Sequence, residues 1–482
     1  MGDTPAACQP LANQLEGIEN ELKELSDELL GAVGGAKAAL ARAIQAKTKE
    51  RDQVKKQLDA CISQNQPPPP VVTPPPVVTP PPVPTSTYTY RMVVFGDSIA
   101  WGQGLAENEK YSTRLAKYIE SRYSNRLSVL KKVYAHSGAK IGYHLDDNDN
   151  VYANKFGTGY VMNDPSYGEI PCTFPTIDQQ VSSYSSADAA KVDLVLLDGG
   201  INDVGVFEII NPKTKGPDLQ SKTLSSCYND MKNLLNNIRI KFSNPKTKFI
   251  VTGYYQIVSD QSDPGFLGSL FTFIFGIAQA GTLRGKEIVS EHCQQFAQTA
   301  NDSLSKAVAE TNVIDGNRGR FLFANPNFGS WNAIFTGPAS LVYGLHIGDM
   351  TAEDSVKESR AIQCKTAQEI SSFLSMFASL LKCKLASVGH PNPAGALRYM
   401  NAIIPVLFPI PSQCKPFSTA LDHKQTKLKE VQAKLRTAST GEKPALLDQI
   451  ETLNTEIKDE QRLLDQCIQA DIDATFRKMT SP

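Results

Sequence analysis

The chain has 482 residues, of which 41% are hydrophobic and 21% are charged. This composition can fill a large core and excludes a largely disordered protein, and the length is typical of about three domains. Lys and Arg number 49 against 50 Asp and Glu, a net charge of −1, so no basic excess indicates nucleic-acid binding. The longest apolar stretch, 266–280, is interrupted by Gly, Ser, Thr and Gln. We therefore expect no transmembrane segment.

The first residues of the chain, MGDTPAACQPLANQ, lack the basic and then apolar pattern of a signal peptide. We expect either a cytosolic protein or a mature secreted chain with an added methionine. The cysteines favour the secreted chain, because two pairs have the same spacing: Cys8 is as far from Cys61 as Cys414 is from Cys467.

These equal spacings belong to an internal repeat, in which segment 8–62 aligns with segment 413–470. In each copy a Gly-containing turn separates two runs with apolar residues at steps of three and four, which is the pattern of a coiled-coil seam. We predict two α-helical coiled-coil hairpins, each closed at its base by a disulfide, Cys8–Cys61 and Cys414–Cys467. Disulfides indicate an oxidising compartment, so we expect a secreted or extracellular protein.

A proline-rich segment, 63–87, joins the first hairpin to the rest of the chain. Such a segment has no core to form and adopts extended polyproline II structure. It is therefore predicted to be a semi-rigid spacer that rises roughly 3.1 Å per residue.

Residues 88–412 alternate between strand-like and helix-like runs. Apolar strand-like runs lie at 92–95, 127–135, 193–198, 248–255 and 320–324, and helical runs at 111–123, 221–242, 286–311 and 394–407. Continuous apolar strands that alternate with helices indicate a parallel sheet covered on both faces. The predicted fold is a three-layer α/β/α domain.

The residues that follow these strands carry the chemistry, because ligands bind at the carboxyl ends of parallel strands. Gly-Asp-Ser follows the first strand, and a Ser-Gly pair ending in Gly138 follows the second. Gly-Ile-Asn-Asp follows the strand at 193–198, and His-Pro precedes the last helix. In the first, third and last of these blocks the polar residues are Asp97, Ser98, Asn202, Asp203 and His390.

These four blocks, in this order, resemble those of the SGNH, or GDSL, hydrolase superfamily over roughly residues 90–408. The resemblance implies an esterase or lipase that needs no cofactor and no metal. Ser98 would be the nucleophile and His390 the base, and the enzyme would act through an acyl-enzyme. The backbone N–H groups of Ser98 and Gly138 and the side chain of Asn202 would form the oxyanion hole. The substrate would be a lipid ester or an acylated carbohydrate.

The chain departs from the family at the position three residues before the histidine, where many members have Asp and this chain has Ser387. Three alternatives follow. The backbone carbonyl of Ser387 orients His390, or a carboxylate from elsewhere does so, with Asp349 and Asp203 as candidates, or the enzyme is weakened or inactive.

Apolar residues near the strand ends are candidates for substrate binding. Trp101 either lines the substrate pocket or packs in the interior. The insertion 264–281, which contains Phe266 and Phe271, is either a lid that contacts the acyl chain or a buried helix.

The remaining cysteines lie in the central domain. Cys364 and Cys383 are expected to pair, and Cys172, Cys227 and Cys293 leave an odd thiol.

A second interpretation gives the chain a binding function. In it the protein is a surface adhesion or assembly protein whose hairpins bind a surface, a partner protein or another copy. The hydrolase domain is then secondary or inactive.

Overall fold

A computed structural model describes residues 6–11, 13–15, 17–18, 21, 47, 50, 53–54, 57, 61, 88–124, 126–142, 168–171, 175–265, 267–268, 283–346, 351–370, 385–439 and 441–480, with only the helical backbone at 283, 364–370, 436 and 478–480. The chain divides into two compact units, Met1–Thr85 and Ser86–Pro482. In the described part of the chain, no helix combines the length and the apolar character needed to cross a membrane.

The second unit contains strands β1 Tyr88–Phe95, β2 Leu127–Val133, β3 Leu194–Leu197, β4 Lys248–Thr252, β5 Phe321–Ala324, β6 Leu345–His346 and β7 Thr351–Ala352. Its helices are α1 Ser98–Trp101, α2 Tyr111–Arg122, α3 Ile177–Ser183, α4 Ser186–Ala189, α5 Ile201–Val204, α6 Val206–Ile209, α7 Gly216–Leu224, α8 Met231–Lys241, α9 Leu283–Ile314, α10 Lys357–Ile370, α11 Pro393–Leu407, α12 Lys415–Thr437 and α13 Lys443–Thr480. A π-helical turn, Ser225–Asp230, joins α7 to α8, and short 3₁₀ turns lie at Ser330–Asn332, Gly337–Ala339 and Ser412–Cys414.

The first five strands form one parallel sheet in the order β2-β1-β3-β4-β5, flanked by helices. All four residues of β3 are fully buried, as expected for a strand covered on both faces. The predicted α/β architecture is therefore confirmed. β6 and β7 form a separate antiparallel pair.

The strand order places a topological switch point between β1 and β3. From β1 the chain moves to one neighbour, β2, and the later strands β3, β4 and β5 are added on the other side. Ligands of such sheets bind in the crevice outside the carboxyl ends of the strands that flank this point. Ser98 follows β1 and Asn202 follows β3, so both lie at this crevice.

One strand is shorter than the sequence predicts. β4 ends at Thr252, whereas the apolar pattern continues to Tyr255. The reason is that the side chain of Asn301, on α9, bonds both backbone groups of Tyr254, accepting from its N–H at 2.8 Å and donating to its carbonyl at 3.0 Å. These side-chain bonds take the place of the hydrogen bonds to a neighbouring strand at Tyr254. The strand therefore ends, and the chain continues as a loop.

The C-terminal hairpin is formed by α12 and α13. Cys414 and Cys467 are joined at its base, as the repeat predicts, and pack with Leu421 and Leu464. The helix α13 runs ten residues further than the predicted end at 470, because its last turns pack against the α/β domain. There Ile472 joins the main core and Asp473 forms an ion pair of 2.6 Å with Arg126, which follows α2.

Few residues of the N-terminal unit are described. Cys8 and Cys61 are joined, and Ile18 and Val54 are buried. Within this unit Lys47 forms an ion pair of 2.7 Å with Glu21, a contact between the acidic and basic segments of the hairpin. The linker, 63–87, lies outside the described residues.

Candidate active site

Ser98 is positioned by the turn between β1 and α1. It is the first residue of α1, and Asp97 caps this helix by accepting the N–H of Ile99 at 2.9 Å. A capping carboxylate of this kind fixes the first turn of a helix. The side-chain oxygen of Ser98 lies 2.7 Å from Nε2 of His390. The structure thus brings together the two residues that the sequence predicts to be nucleophile and base.

His390 lies at the end of a tight turn that begins at Ser387. Its backbone N–H donates to the Ser387 carbonyl at 2.9 Å, and Gly389 has a φ of +78°, a conformation that favours glycine. Tyr343 bonds this turn through its backbone on both sides, donating to the His390 carbonyl and accepting from the Gly389 N–H. The buried hydroxyl of Tyr255 donates to the Gly389 carbonyl at 2.7 Å. The turn that carries the ring of His390 is therefore held in place by hydrogen bonds from Tyr343 and Tyr255.

The electrostatic environment keeps His390 neutral. Burial, followed by the positive charge of Arg360, lowers its pKa to about 4, against the weaker opposing effects of the Val388 and Ser387 carbonyls and of Asp354. Above that pH the ring is neutral, and Nε2 can accept a proton from Ser98 when Nδ1 carries the ring hydrogen. Within the described residues Nδ1 makes no hydrogen bond of ordinary geometry, although these backbone carbonyls raise the pKa.

The loops after β2 and β3 bond each other. Nδ2 of Asn202 donates to the Ala139 carbonyl at 3.0 Å, and the carboxylate of Asp203 accepts the N–H of Ile141 at 3.0 and 3.1 Å. Gly138 has a φ of +82°, so a residue with a side chain would be strained there. An amide nitrogen carries two hydrogens, and its bond to Ala139 uses only one of them. The arrangement holds Asn202 and Gly138 beside each other at the carboxyl ends of the strands.

Two buried carboxyl groups, those of Asp97 and Asp198, adjoin the turn that carries Ser98. The backbone N–H of Asp97 donates to Oδ1 of Asp198 at 2.7 Å. Burial raises the pKa of Asp97 to about 6, although bonds from Ile99 N–H and from the Tyr254 hydroxyl oppose the increase. Burial and the charge of Asp97 raise the pKa of Asp198 well above its usual range. The sequence pattern did not single out Asp198, although its place directly after a buried strand was a usable signal.

A buried polar network adjoins the turn that carries His390. The hydroxyl of Ser387 donates to Asp354 in a very short hydrogen bond. Asp354 is held by Arg360 through bonds of 3.0 and 2.7 Å, and Arg360 also contacts Glu169 at 3.2 Å. Glu169 in turn accepts from Nε1 of Trp101 at 2.8 Å. Asp354, Arg360 and Glu169 were not predicted from the sequence, because charged residues carry no local signal that they will be buried.

Trp101 is packed in the interior, and its part in substrate binding stays a prediction. Its ring is buried, its N–H is bonded to Glu169, and Nζ of Lys110 lies 3.4 Å from the ring centroid. The other two candidates for substrate binding, Phe266 and Phe271, lie outside the described residues. So does Asp349, one of the two candidate orienting carboxylates. The other, Asp203, is bonded to Ile141.

The cysteines of the central domain are described only in part. Cys227 and Cys293 are free and buried. The structure describes neither Cys172 and Cys383 nor the side chain of Cys364, so the pair Cys364–Cys383 stays a prediction.

Comparison with known proteins identifies the family of this site. No curated protein matches the chain. A solved structure, that of the lipase Lip_vut3 from a goat rumen metagenome, is similar with 16% sequence identity over 45% of this chain and 75% of that one, at a TM-score of 0.24. The family model for GDSL-like lipase/acylhydrolase matches residues 92–397, which is more than half of the chain and includes every strand-end block described above. The chain therefore belongs to the GDSL-like lipase/acylhydrolase family of ester hydrolases.

Proposed function

We propose that the protein is a secreted serine esterase or lipase that acts through an acyl-enzyme on Ser98. The observation that carries this proposal is the contact of 2.7 Å between Oγ of Ser98 and Nε2 of His390. His390 takes the hydroxyl proton while Ser98 attacks the ester carbonyl, and the ring then gives that proton to the leaving alcohol. Water releases the acyl group from Ser98 by the same steps in reverse.

The oxyanion that forms during attack would be bound by three donors from three strand ends. They are the backbone N–H of Ser98, the backbone N–H of Gly138 and the second hydrogen of the Asn202 amide. In support, Asn202 is fixed by its bond to Ala139, so its amide is already oriented before substrate binds. One such donor typically contributes about 3 kcal/mol to the transition state.

We assign the orientation of His390 to the backbone carbonyls of Val388 and Ser387, and not to a carboxylate in direct contact. Two observations support this assignment. The Val388 and Ser387 carbonyls raise the pKa of the ring, as acceptors near Nδ1 would. The carboxylate of Asp203 is already engaged with the N–H of Ile141.

The family supports the proposed substrate class, and the disulfides support the proposed location. An ester with a lipid or an acylated carbohydrate portion fits an acylhydrolase, and the fold alone does not choose between them. The disulfides Cys8–Cys61 and Cys414–Cys467 fit an oxidising, extracellular environment.

The alternative is a surface adhesion or assembly protein whose hairpins bind a partner. Two apolar residues of α13, Leu447 and Leu463, are exposed, which favours a binding role for the hairpin. Deletion of residues 1–85 tests the idea for the first unit. Full activity on a soluble ester together with lost binding to cells or to insoluble substrate would assign targeting to that unit.

The central test is hydrolysis of p-nitrophenyl esters of increasing acyl length by the wild type and by Ser98→Ala. A matched control is Ser303→Ala on α9, because Ser303 is 4% exposed, as Ser98 is. We expect Ser98→Ala to abolish turnover and Ser303→Ala to retain it, with the acyl-length profile separating an acetylesterase from a lipase. Equal activity of Ser98→Ala and the wild type would overturn the proposal.

A further inference from the structure

We infer that Asp354 is a positioning residue for His390, acting through the hydroxyl of Ser387, within a buried network that also fixes the helix of Ser98. This inference rests on the proposed roles of Ser98 and His390. The sequence suggested Asp349 and Asp203 as carboxylates that could orient His390. We assign this role instead to Asp354, which acts indirectly.

The first link is Ser387, whose side-chain hydroxyl and backbone carbonyl both form hydrogen bonds. Its side chain is fully buried and its hydroxyl donates to Asp354. Its carbonyl accepts the backbone N–H of His390 at 2.9 Å. A shift of the Ser387 side chain therefore moves the carbonyl that begins the turn of His390.

The second link is the pair of Asp354 and Arg360. Both side chains are 0% exposed, and the guanidinium binds both carboxylate oxygens. A bidentate pair of this kind fixes the orientation of the carboxylate as well as its distance. Asp354 thus presents an oriented acceptor to Ser387.

The third link leads from Arg360 to the nucleophile. Arg360 contacts Glu169, and Glu169 accepts from Trp101, the last residue of the helix that begins with Ser98. The network therefore begins three residues before the base and ends three residues after the nucleophile.

A second connection runs parallel to this network through Tyr343. Its backbone bonds the turn of His390, and its hydroxyl donates to the Gly104 carbonyl at 3.0 Å. The N–H of Gly104 lies 3.3 Å from each carboxylate oxygen of Glu169, so both connections meet there.

Stability alone does not account for this arrangement. Asp354, Arg360, Glu169 and Lys110 are all buried. A buried ion pair is often no more stabilising than apolar side chains of the same volume, and its best-attested benefit is a defined geometry. The geometry defined by these links is that between Oγ of Ser98 and Nε2 of His390, on which proton transfer depends.

The test uses Asp354→Asn, which keeps the shape of the side chain and removes its charge. We expect kcat to fall about tenfold to a hundredfold, with KM within about twofold, because the substrate contacts are unchanged and the reacting atoms are displaced. Asp354→Asn removes a negative charge that opposes the effect of Arg360 on the pKa of His390, so the acid limb of kcat/KM should move to lower pH. A residue that only stabilises the fold would not move this limb.

The matched control is Asp315→Asn. Asp315 and Arg320 form another buried bidentate pair, with bonds of 2.7 and 2.5 Å and 2% exposure of each side chain. We expect this variant to lose stability in the same way as Asp354→Asn but to keep kcat and the pH profile of the wild type. The same kcat loss in both variants would reduce Asp354 to a structural residue and overturn the inference.

Two further variants apply if Asp354→Asn does not fold. Ser387→Ala leaves the Asp354–Arg360 pair intact and should lower kcat in the same manner. Ser387→Asp combined with Asp354→Ser moves the carboxylate to the position three residues before His390 and should restore kcat above that of either single variant. Simple addition of the two losses, or a wild-type kcat in Ser387→Ala, contradicts the inference. If Ser98→Ala stays active, the proposed function itself fails, whereas an inactive Ser98→Ala beside an unaffected Asp354→Asn removes only this inference.

Discussion

The hydroxyl of Tyr254 joins the turn of the nucleophile to the turn that carries Asn202. It donates to Oδ2 of Asp97 at 2.8 Å and accepts the N–H of Ile201 at 3.3 Å. One oxygen thus bonds the loops after two neighbouring strands, β1 and β3. The relative position of the proposed nucleophile and of an oxyanion donor depends on it.

Replacing Tyr254 with Phe should therefore affect both stability and turnover. The change leaves the buried Asp97 and the Ile201 N–H without this partner, which typically costs about 1–3 kcal/mol. We expect a lower free energy of unfolding by urea denaturation and a several-fold lower kcat with KM little changed. Tyr228→Phe is the control, since Tyr228 bonds Glu310, away from the strand ends. Equal effects of the two variants on kcat would contradict this role.

The buried carboxyl pair gives the fold a defined pH dependence. The pKa of Asp97 is raised to about 6 in the folded protein. Its contribution to stability is therefore present at low pH and is lost as the pH rises through about 6. Asp198→Asn keeps the acceptor for the Asp97 N–H and cannot become charged. We expect this variant to melt at a higher temperature than the wild type above about pH 7, with the difference shrinking towards pH 5. Parallel melting curves across this range would refute the idea.

The pH–rate profile should report the low pKa of His390. A histidine acting as base must be neutral, and this one has its pKa lowered to about 4 by burial and by Arg360. Activity should therefore persist at about pH 5, where an ordinary histidine is largely protonated. The measurement is kcat/KM on a soluble ester between about pH 3.5 and 8, with separate checks that the protein stays folded. An acid limb near the usual histidine value would show that the ring is more exposed to solvent in solution.

Asn202→Ala separates oxyanion binding from the bonding of the loops. Loss of a donor to the oxyanion should lower kcat by about 10²–10³-fold while KM changes little. Asn202 also bonds Ala139, so Asp203→Ala, which removes the neighbouring bond to Ile141, is the control for loop movement. We expect the control to have the smaller effect on kcat. The reverse order would assign Asn202 a structural role only.

The base of the C-terminal hairpin is tested by Cys414→Ser combined with Cys467→Ser. Removal of a disulfide that closes a loop of this length typically costs about 2–5 kcal/mol. Because Cys414 packs with Leu421 and Leu464 in a small apolar cluster that is separate from the main core, we expect early melting of the hairpin by circular dichroism. Hydrolysis of a soluble ester should be unchanged. A loss of this activity would mean that the hydrolase domain depends on the hairpin.

The strand-end residues were predictable because each is marked by its local sequence. An apolar strand followed by Gly-Asp-Ser or by Gly-Ile-Asn-Asp specifies a strand and then a tight turn, and parallel strands place such turns at one edge. Ser98 and Asn202 were found in this way, whereas His390 was found from the His-Pro block that precedes the last helix. The spacing of the cysteines likewise predicted the two disulfides present in the structure.

The supporting residues could not be predicted in this way, because their roles arise from contacts between distant segments. Asp354, Arg360 and Glu169 have the sequence appearance of surface charges, and only the fold encloses them. The early end of β4 has the same origin, since Asn301 bonds Tyr254 from a helix far along the chain. The β-propensity of the residues predicts that the strand forms, but hydrogen bonds from a distant segment determine the residue at which it ends.

The helix α13 connects the outer end of the C-terminal hairpin to the hydrolase domain without a break. Its 38 residues span about 57 Å at about 1.5 Å per residue. Because this continuous helix is joined to α12 by a disulfide and its Ile472 is part of the main core, we expect it to be a stiff connection. A stiff helix would keep the crevice at the strand ends in one orientation relative to any partner bound at the outer end of the hairpin. Attachment at that end would therefore also set the direction from which substrate reaches the crevice.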